Sequence, residues 1–353
     1  MSKEINVGLI GYGGAGRVFH APIIESVSGL NLYKVYETKE DNIKNLNSKY
    51  PNTLITSNTD EILNDKNIDL VVLAVPNSIH FKLAKAALEN YKNVIVEKPL
   101  TVTSKEADEL LKLAKSKNKI LTVNQNRRWD SDFRTVKKVI ESGLLGNIVE
   151  YEAHFDRFRN YIKKSPWKEK DLPGSGILYD LGSHLIDQAQ CLFGLPDEVF
   201  GDLRIQRNSG KVIDNFEVIL AYNNLKVTLK AGMLVREQGP HFTILGKKGS
   251  FIKYGMDVQE ENLKNGLMPK DIENWGVEPS SLWGNINTET NNLHFTGKIE
   301  SEAGDYRKFY ENVYLSILGE AELQVTPKQA RNTIRIIELA QKSSLERKWV
   351  KFE

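Results

Sequence analysis

Ile5-Asn6-Val7-Gly8-Leu9-Ile10-Gly11-Tyr12-Gly13-Gly14-Ala15-Gly16 is the stretch on which the fold turns. A short apolar run stops at Gly11, and two further glycines follow at the spacing Gly-x-Gly-x-x-Gly. The first glycine permits a tight turn, the second lets backbone approach a pyrophosphate, and the third lets a helix pack closely on the strand. Arg17 and Val18 then open a helix whose free N–H groups and positive dipole end point at the phosphates. With Tyr12 and Ala15 inside the turn, the segment from Gly11 to Val18 is a candidate dinucleotide site. The motif alone is weak. It gains meaning from the strand before it, the helix after it and the βαβ series beyond.

That series extends to about residue 125. Apolar runs at Leu32–Tyr36, Leu70–Val75, Val94–Val96 and Ile120–Val123 read as strands buried on both faces of a parallel sheet. Between them, Phe81, Ala84, Ala87 and Leu88 form one apolar helical stripe, and Ala107, Leu110, Leu111 and Ala114 form another. Thr103 and Glu106 have the spacing of a capping box ahead of the second stripe. Pro22 should leave the first helix short or bent. This is an α/β domain with a doubly wound sheet.

After Asn124 the pattern changes. A helix is expected over 131–142, another over Ser183–Phe193, and two more over 304–318 and 327–345. Strands are expected at Val149–Phe155, Phe216–Tyr222, Lys226–Lys230, His241–Leu245 and Ser250–Lys253, joined by Gly and Asn turns. Successive strands with short turns imply an antiparallel sheet, hence an α+β domain. The stretch 256–285, rich in Asn, Glu, Gly and Pro, reads as a long loop. The expected division is 1–125 for the dinucleotide domain and 126–353 for the substrate domain.

Composition narrows the class. Lys and Arg number 48 against 46 Asp and Glu, a formal charge of +2, so nothing marks a nucleic-acid or membrane partner. The lone Cys191 excludes an internal disulfide and a cysteine-based metal cluster. The six histidines show no paired ligand spacing, so no metal is expected. No apolar run has the length to span a bilayer, and no leader pattern opens the chain; the cytoplasm is the expected location.

Three clusters carry chemistry. Glu37, Thr38 and Lys39 end the second strand, where the adenosine ribose is read. Glu37 suits a 2′-hydroxyl and NAD, whereas Thr38 and Lys39 suit a 2′-phosphate and NADP. Glu97-Lys98-Pro99 ends another strand, at the sheet edge where ligands bind, and a lysine there can stabilise developing negative charge. Asp180 and His184 stand four apart, one helical turn. A carboxylate beside an imidazole suits proton abstraction from an alcohol, although on spacing alone an exposed or capping pair is the commoner reading.

Taken in order, Gly11-x-Gly13-Gly14-x-Gly16, Glu97-Lys98-Pro99 and Gly176-x-x-x-Asp180-x-Gly182-x-His184 resemble the glucose–fructose oxidoreductase/inositol dehydrogenase (Gfo/Idh/MocA) family over essentially the whole chain. Asn126-Arg127-Arg128-Trp129-Asp130, His154 to Arg159, Tyr179 to Gln188 and Phe251 to Gly255 look like the branch that holds NADP-dependent scyllo-inositol dehydrogenases. The resemblance implies a Rossmann domain and a C-terminal domain with a large open antiparallel sheet, through whose outer face homodimers or homotetramers form. It implies a catalytic Lys98, a proton-transfer pair of Asp180 and His184, and a substrate contact at Arg127. Val75, Pro76, Asn77 and His80 fall near the nicotinamide end. The implied reaction is NAD(P)-dependent oxidation of a ring hydroxyl of a polyol or sugar, with Trp129, Tyr161, Trp167 and Tyr306 as further candidates for ring contact. Relatives also handle other sugars, dihydrodiols and imines, and some are inactive cofactor-binding regulators. One departure is Glu37, where NADP-dependent members of the branch carry a small neutral residue.

Overall fold

The computed structural model describes residues 3–162 and 167–353. They fall into two compact units. The first runs to Asn126 and also takes in Gln259–Trp275 and Asp305–Arg331. The second consists of Arg127–Val258, Gly276–Gly304 and Asn332–Glu353.

The first unit is built on six parallel strands: β1 (Ile5–Ile10), β2 (Leu30–Tyr36), β3 (Leu54–Thr56), β4 (Leu70–Leu73), β5 (Asn93–Glu97) and β6 (Leu121–Asn124). Their order is β3-β2-β1-β4-β5-β6. The order reverses between β1 and β4, which opens a crevice at the carboxyl ends of those strands. After Gly16 the chain makes a π turn (Gly16–His20) and then a four-residue helix α1 (Ala21–Ile24) with Pro22 in its first turn, the interruption expected of that proline. Helices α2 (Glu40–Lys49), α3 (Asp60–Leu63), α4 (His80–Glu89) and α5 (Ser104–Lys117) follow. Helix α4 buries Ala84, Ala87 and Leu88, and α5 buries Ala107, Leu110 and Ala114. Thr103 and Glu106 form the reciprocal capping box at the start of α5. β3 and α2 carry no apolar stripe in the sequence; only Leu46 of α2 is buried.

In the second unit nine strands form one sheet: β7 (Ile148–His154), β8 (Glu198–Arg204), β9 (Asn215–Tyr222), β10 (Leu225–Gly232), β11 (Phe242–Gly246), β12 (Gly249–Lys253), β13 (Gly284–Thr290), β14 (Leu293–Ile299) and β15 (Val350–Lys351). The order is β14-β13-β12-β11-β7-β10-β9-β8-β15. It is not wholly antiparallel, because β7 and β10 pair in parallel. Helices α6 (Ser131–Glu141) and α7 (Ser183–Phe193) cover one face. Phe133, Val136 and Val139 from α6 and Leu185, Ile186 and Ala189 from α7 meet Tyr151, Ala153, Val218, Leu229 and Phe242 in one core.

One expectation needs correction. The stretch 256–285 is not a plain loop: it contains helix α8 (Gln259–Lys264) and short turns at Pro269–Asp271 and Ser280–Leu282. Leu263 and Trp275 anchor it, and Trp275 Nε1 donates to Gln259 Oε1 at 2.8 Å. Each compact unit is made of several stretches of chain. Helix α9 (Arg307–Ile317) joins the first unit by burying Phe309, Tyr310 and Val313, and the Thr122 hydroxyl donates to the Val325 carbonyl at 2.7 Å. The last helix, α10 (Pro327–Glu346), sends Ile334, Ile337 and Ala340 into the second unit's core. Among the described residues no helix is long and apolar enough to cross a membrane.

Candidate active site

At the glycine turn the structure separates two kinds of glycine. Gly11 has φ +102°, and a Cβ there would lie 2.4 Å from the Ala74 carbonyl oxygen. A Cβ on Gly16 would lie 2.0 Å from the Gly11 carbonyl oxygen. These two serve the chain itself. At Gly13 and Gly14 an added Cβ would meet nothing within 4 Å, and both are exposed. Nothing inside the protein asks for glycine there. The bare backbone fits a pyrophosphate that must approach closely, so the turn suits a dinucleotide. Tyr12 is buried, edge-on to Tyr50, with its hydroxyl donating to Asn45 Oδ1 at 2.9 Å; only its backbone is available to a ligand. Arg17 is exposed beside the turn and Val18 half-buried.

The ribose-reading cluster is folded on itself. Glu37 Oε1 accepts the backbone N–H groups of Thr38 (2.7 Å) and Lys39 (2.9 Å), and Oε2 accepts Asn42 Nδ2 at 2.6 Å. The carboxylate thus stands at the amino end of α2, a favourable place for negative charge. The two N–H groups it holds are withdrawn from any phosphate.

Past β4, His80 is fully buried, with Nδ1 2.8 Å from the Pro99 carbonyl oxygen and Nε2 2.9 Å from that of Val75. The ring stands between the Val75-Pro76-Asn77 turn and the Lys98-Pro99 turn, and as a neutral imidazole it donates to one of the two carbonyls. Burial lowers its pKa, against the pull of the two carbonyls and Glu97.

Glu97 anchors the lysine. Its Oε1 accepts Asn124 Nδ2 at 2.7 Å and His20 Nε2 at 2.9 Å, and its Oε2 accepts the Lys98 backbone N–H at 3.1 Å. Burial alone would raise this carboxyl, but the bond and charge of His20, with Lys98 and Asn124, hold it down to about 2. His20 Nδ1 in turn lies 2.5 Å from the Tyr310 hydroxyl. The sequence reading missed His20, Asn124 and Tyr310, because no spacing links residues separated by up to 290 positions.

The other candidates belong to the second unit. Asp180 lies in a π turn (Leu178–Gly182) that runs directly into α7, whose first turn carries His184. His184 is 6% exposed, its ring 6.3 Å from that of Phe155. Asp180 Oδ1 accepts Lys168 Nζ at 2.6 Å, an ion pair the sequence did not suggest. Arg127 is buried, 3.2 Å from Asp130 and 6.0 Å from the Phe155 ring. Two ties hold α7 to this turn: Gln188 Nε2 donates to the Arg127 carbonyl at 3.0 Å, and Arg128 forms a bidentate pair with Asp187, both bonds 2.7 Å.

The aromatic candidates divide. Trp129 and Tyr306 are buried, Tyr306 edge-on to Phe19 within the first unit. Tyr161 is 61% exposed and Trp167 half-buried, its ring under Lys168 Nζ at 5.8 Å.

Residues 5–125 match the description "Oxidoreductase family, NAD-binding Rossmann fold", and residues 137–352 match "Oxidoreductase family, C-terminal alpha/beta domain", the two halves of one family. The chain belongs to the Gfo/Idh/MocA oxidoreductase family. It is 40% identical over 348 residues to the uncharacterized oxidoreductase YdgJ of Escherichia coli, covering 98% of each chain. It is 37% identical over 349 residues to IolW of Bacillus subtilis, a scyllo-inositol 2-dehydrogenase (NADP(+)), covering 99% of this chain and 96% of that one. The solved structure of YvaA from Bacillus subtilis, 36% identical, superposes with a TM-score of 0.95 over 100% of this chain and 99% of the other. As a Gfo/Idh/MocA oxidoreductase the chain uses a nicotinamide cofactor and a small-molecule substrate.

Proposed function

We propose that this oxidoreductase oxidises a ring hydroxyl of a polyol or sugar to a ketone, with scyllo-inositol as the first substrate to try. The observation that carries the reading is Lys98, set at the carboxyl end of β5 with its backbone N–H held by ionised Glu97, in the unit that bears the bare glycine turn. Similarity to IolW supports the substrate class.

Gly11–Val18 would hold the pyrophosphate and Glu37 the adenosine ribose. Bound there, a nicotinamide supplies the hydride acceptor for the carbinol C–H. Lys98 stabilises negative charge on the substrate oxygen as its proton leaves. His184 takes that proton, and Asp180 sets the imidazole's basicity while its own charge is balanced by Lys168. Arg127 would contact the substrate's hydroxyls. Glu37 favours NAD over NADP: its charge repels a 2′-phosphate, and it occupies the N–H groups that would bind one.

The test is kinetic. Lys98→Ala and His184→Ala should each lower kcat/KM on scyllo-inositol by roughly 10²- to 10⁴-fold while cofactor affinity changes far less. Wild-type turnover in either variant would remove that residue from the mechanism.

A further inference from the structure

Phe155 follows β7 directly and is 3% exposed. Three polar groups of its own unit surround its ring: the Arg127 guanidinium at 6.0 Å, the His184 ring at 6.3 Å and the His241 ring at 4.9 Å. The first two have a place in the reaction proposed above. His241 has none; in the sequence it stands at the start of a strand and shows no paired ligand spacing.

Its surroundings are those of a functional imidazole. Nδ1 lies 2.8 Å from Oδ2 of Asp132, which is fully buried and whose Oδ1 accepts the Phe133 N–H at 2.6 Å. Burial would push the Asp132 carboxyl up, but His241, Lys253 and the Phe133 N–H outweigh it and hold it down. The Asp132 oxygen accepts in this pair, so Nδ1 carries the proton, and in that tautomer of the imidazole Nε2 is an acceptor lone pair. Nε2 is itself buried and has no hydrogen-bond partner among the described residues. Buried polar atoms are nearly always bonded, so an exception calls for a ligand or water that completes it. His241 thus shares one aromatic neighbour with Arg127 and His184, the second-unit groups of the proposed reaction, and a polyol offers the further hydroxyl that would complete Nε2.

We propose that His241, oriented by Asp132, is a hydroxyl-binding residue of the substrate site. Its Nε2 accepts a hydrogen bond from a hydroxyl other than the one oxidised, so the substrate class is a polyol or cyclic sugar with at least one further free hydroxyl. The inference rests on the polyol-oxidation reading and adds to it a residue for substrate recognition.

Two conservative variants separate binding from structure. The amide of asparagine can stand near Nδ1 and keep the bond to Asp132, but it offers nothing at Nε2. The amide of glutamine reaches the Nε2 position. Steady-state kinetics on the full chain with scyllo-inositol, under saturating NAD or NADP, should show His241→Asn raising KM roughly 3- to 10-fold with kcat within about a factor of two. His241→Gln should recover most of the loss, and the melting temperature of His241→Asn should match wild type. An unchanged KM in His241→Asn overturns the proposal and leaves the polyol reading standing. So does a glutamine variant worse than the asparagine variant, with KM worsening in step with melting temperature, since that is the order a purely structural role predicts. If the wild type oxidises neither scyllo-inositol nor any other inositol or aldose offered, the polyol reading fails and this inference falls with it.

Discussion

Every residue from Leu70 to Leu73 in β4 and from Val94 to Val96 in β5 is buried, whereas along β7 the buried Tyr151 and Ala153 alternate with Glu150, Glu152 and His154, which carry ion pairs. A strand covered on both faces can present polar groups only at its ends. The first unit's candidate groups therefore come in contiguous pieces, each a strand end and the few residues after it: Gly11–Gly16, Glu37–Lys39, Val75–Asn77 and Glu97–Lys98. The second unit has a sheet with one covered face, and its candidate groups stand on helices packed there. They are held by partners far away in sequence, such as Arg128 with Asp187 at a separation of 59 and Ser131 with Asp257 at 126. One site is written locally, the other through tertiary pairing.

The largest test of that contrast is Arg128→Ala. It strands a buried Asp187 carboxylate at the helix that carries His184, and loss of one partner from a buried pair typically costs about 3–5 kcal/mol. Urea unfolding of the variant should show that loss, and Arg128→Ala/Asp187→Ala should recover part of it. A cost under about 1 kcal/mol would mean the pair does not hold α7 in place.

In the first unit the matching test compares two glycines only two residues apart. Gly11→Ala forces a side chain into positive φ and against the Ala74 carbonyl, so it should lose about 2 kcal/mol or more of stability. Gly13→Ala meets nothing and should stay within about 0.5 kcal/mol of wild type. Its damage should appear instead as weaker quenching of intrinsic fluorescence in NAD and NADP titrations. Equal loss of stability in both variants would contradict the separation of structural from ligand-facing glycines.

The same contrast explains what could be read from the sequence. The parallel sheet, the glycine turn, the capping box and the full extent of α7 were legible because each depends on neighbours within a few residues. The hairpin of β13 and β14 was missed although it had a signal, Asn291-Asn292, both with positive φ, between two strands. β14 is exposed along nearly its whole length, so no burial pattern marked it. Helix α9 was found, but its attachment to the first unit was not, since that depends on Tyr310 reaching His20. The Asp180–Lys168 pair and the Asp132–His241 pair were likewise invisible: nothing in a one-dimensional pattern brings residues 132 and 241 together.

Glu37 gives a smaller and more specific test, because it is a local cluster whose two readings were both open in sequence. Glu37→Ser removes the charge and releases the Thr38 and Lys39 N–H groups. The ratio of kcat/KM for NADP to that for NAD should rise about tenfold, the size expected from one water-screened charge a few ångström from a phosphate. A ratio that stays fixed would move cofactor choice away from this turn.

The smallest effect concerns pH, and it should have opposite signs in the two units. In the first unit the Glu97 carboxyl is held down to about 2, below its ordinary 4.5, so the stability it contributes is present above pH 4.5 and is lost as pH falls toward 2. In the second unit His154 lies between Asp156 (2.8 Å) and Glu152 (2.7 Å), with Lys230 3.2 Å from Glu152. Burial would lower this imidazole, but the bonds and charges of the two carboxylates outweigh it and raise its pKa above 6.5. Its contribution is therefore complete below pH 6.5 and is lost as pH rises through the raised value. Urea unfolding of the wild type across the alkaline side should show a decline that His154→Gln flattens, while Glu97→Gln should flatten the decline on the acid side. The two variants should not exchange effects. If His154→Gln instead changes only the acid limb, the imidazole is not the charged partner of Asp156 and Glu152.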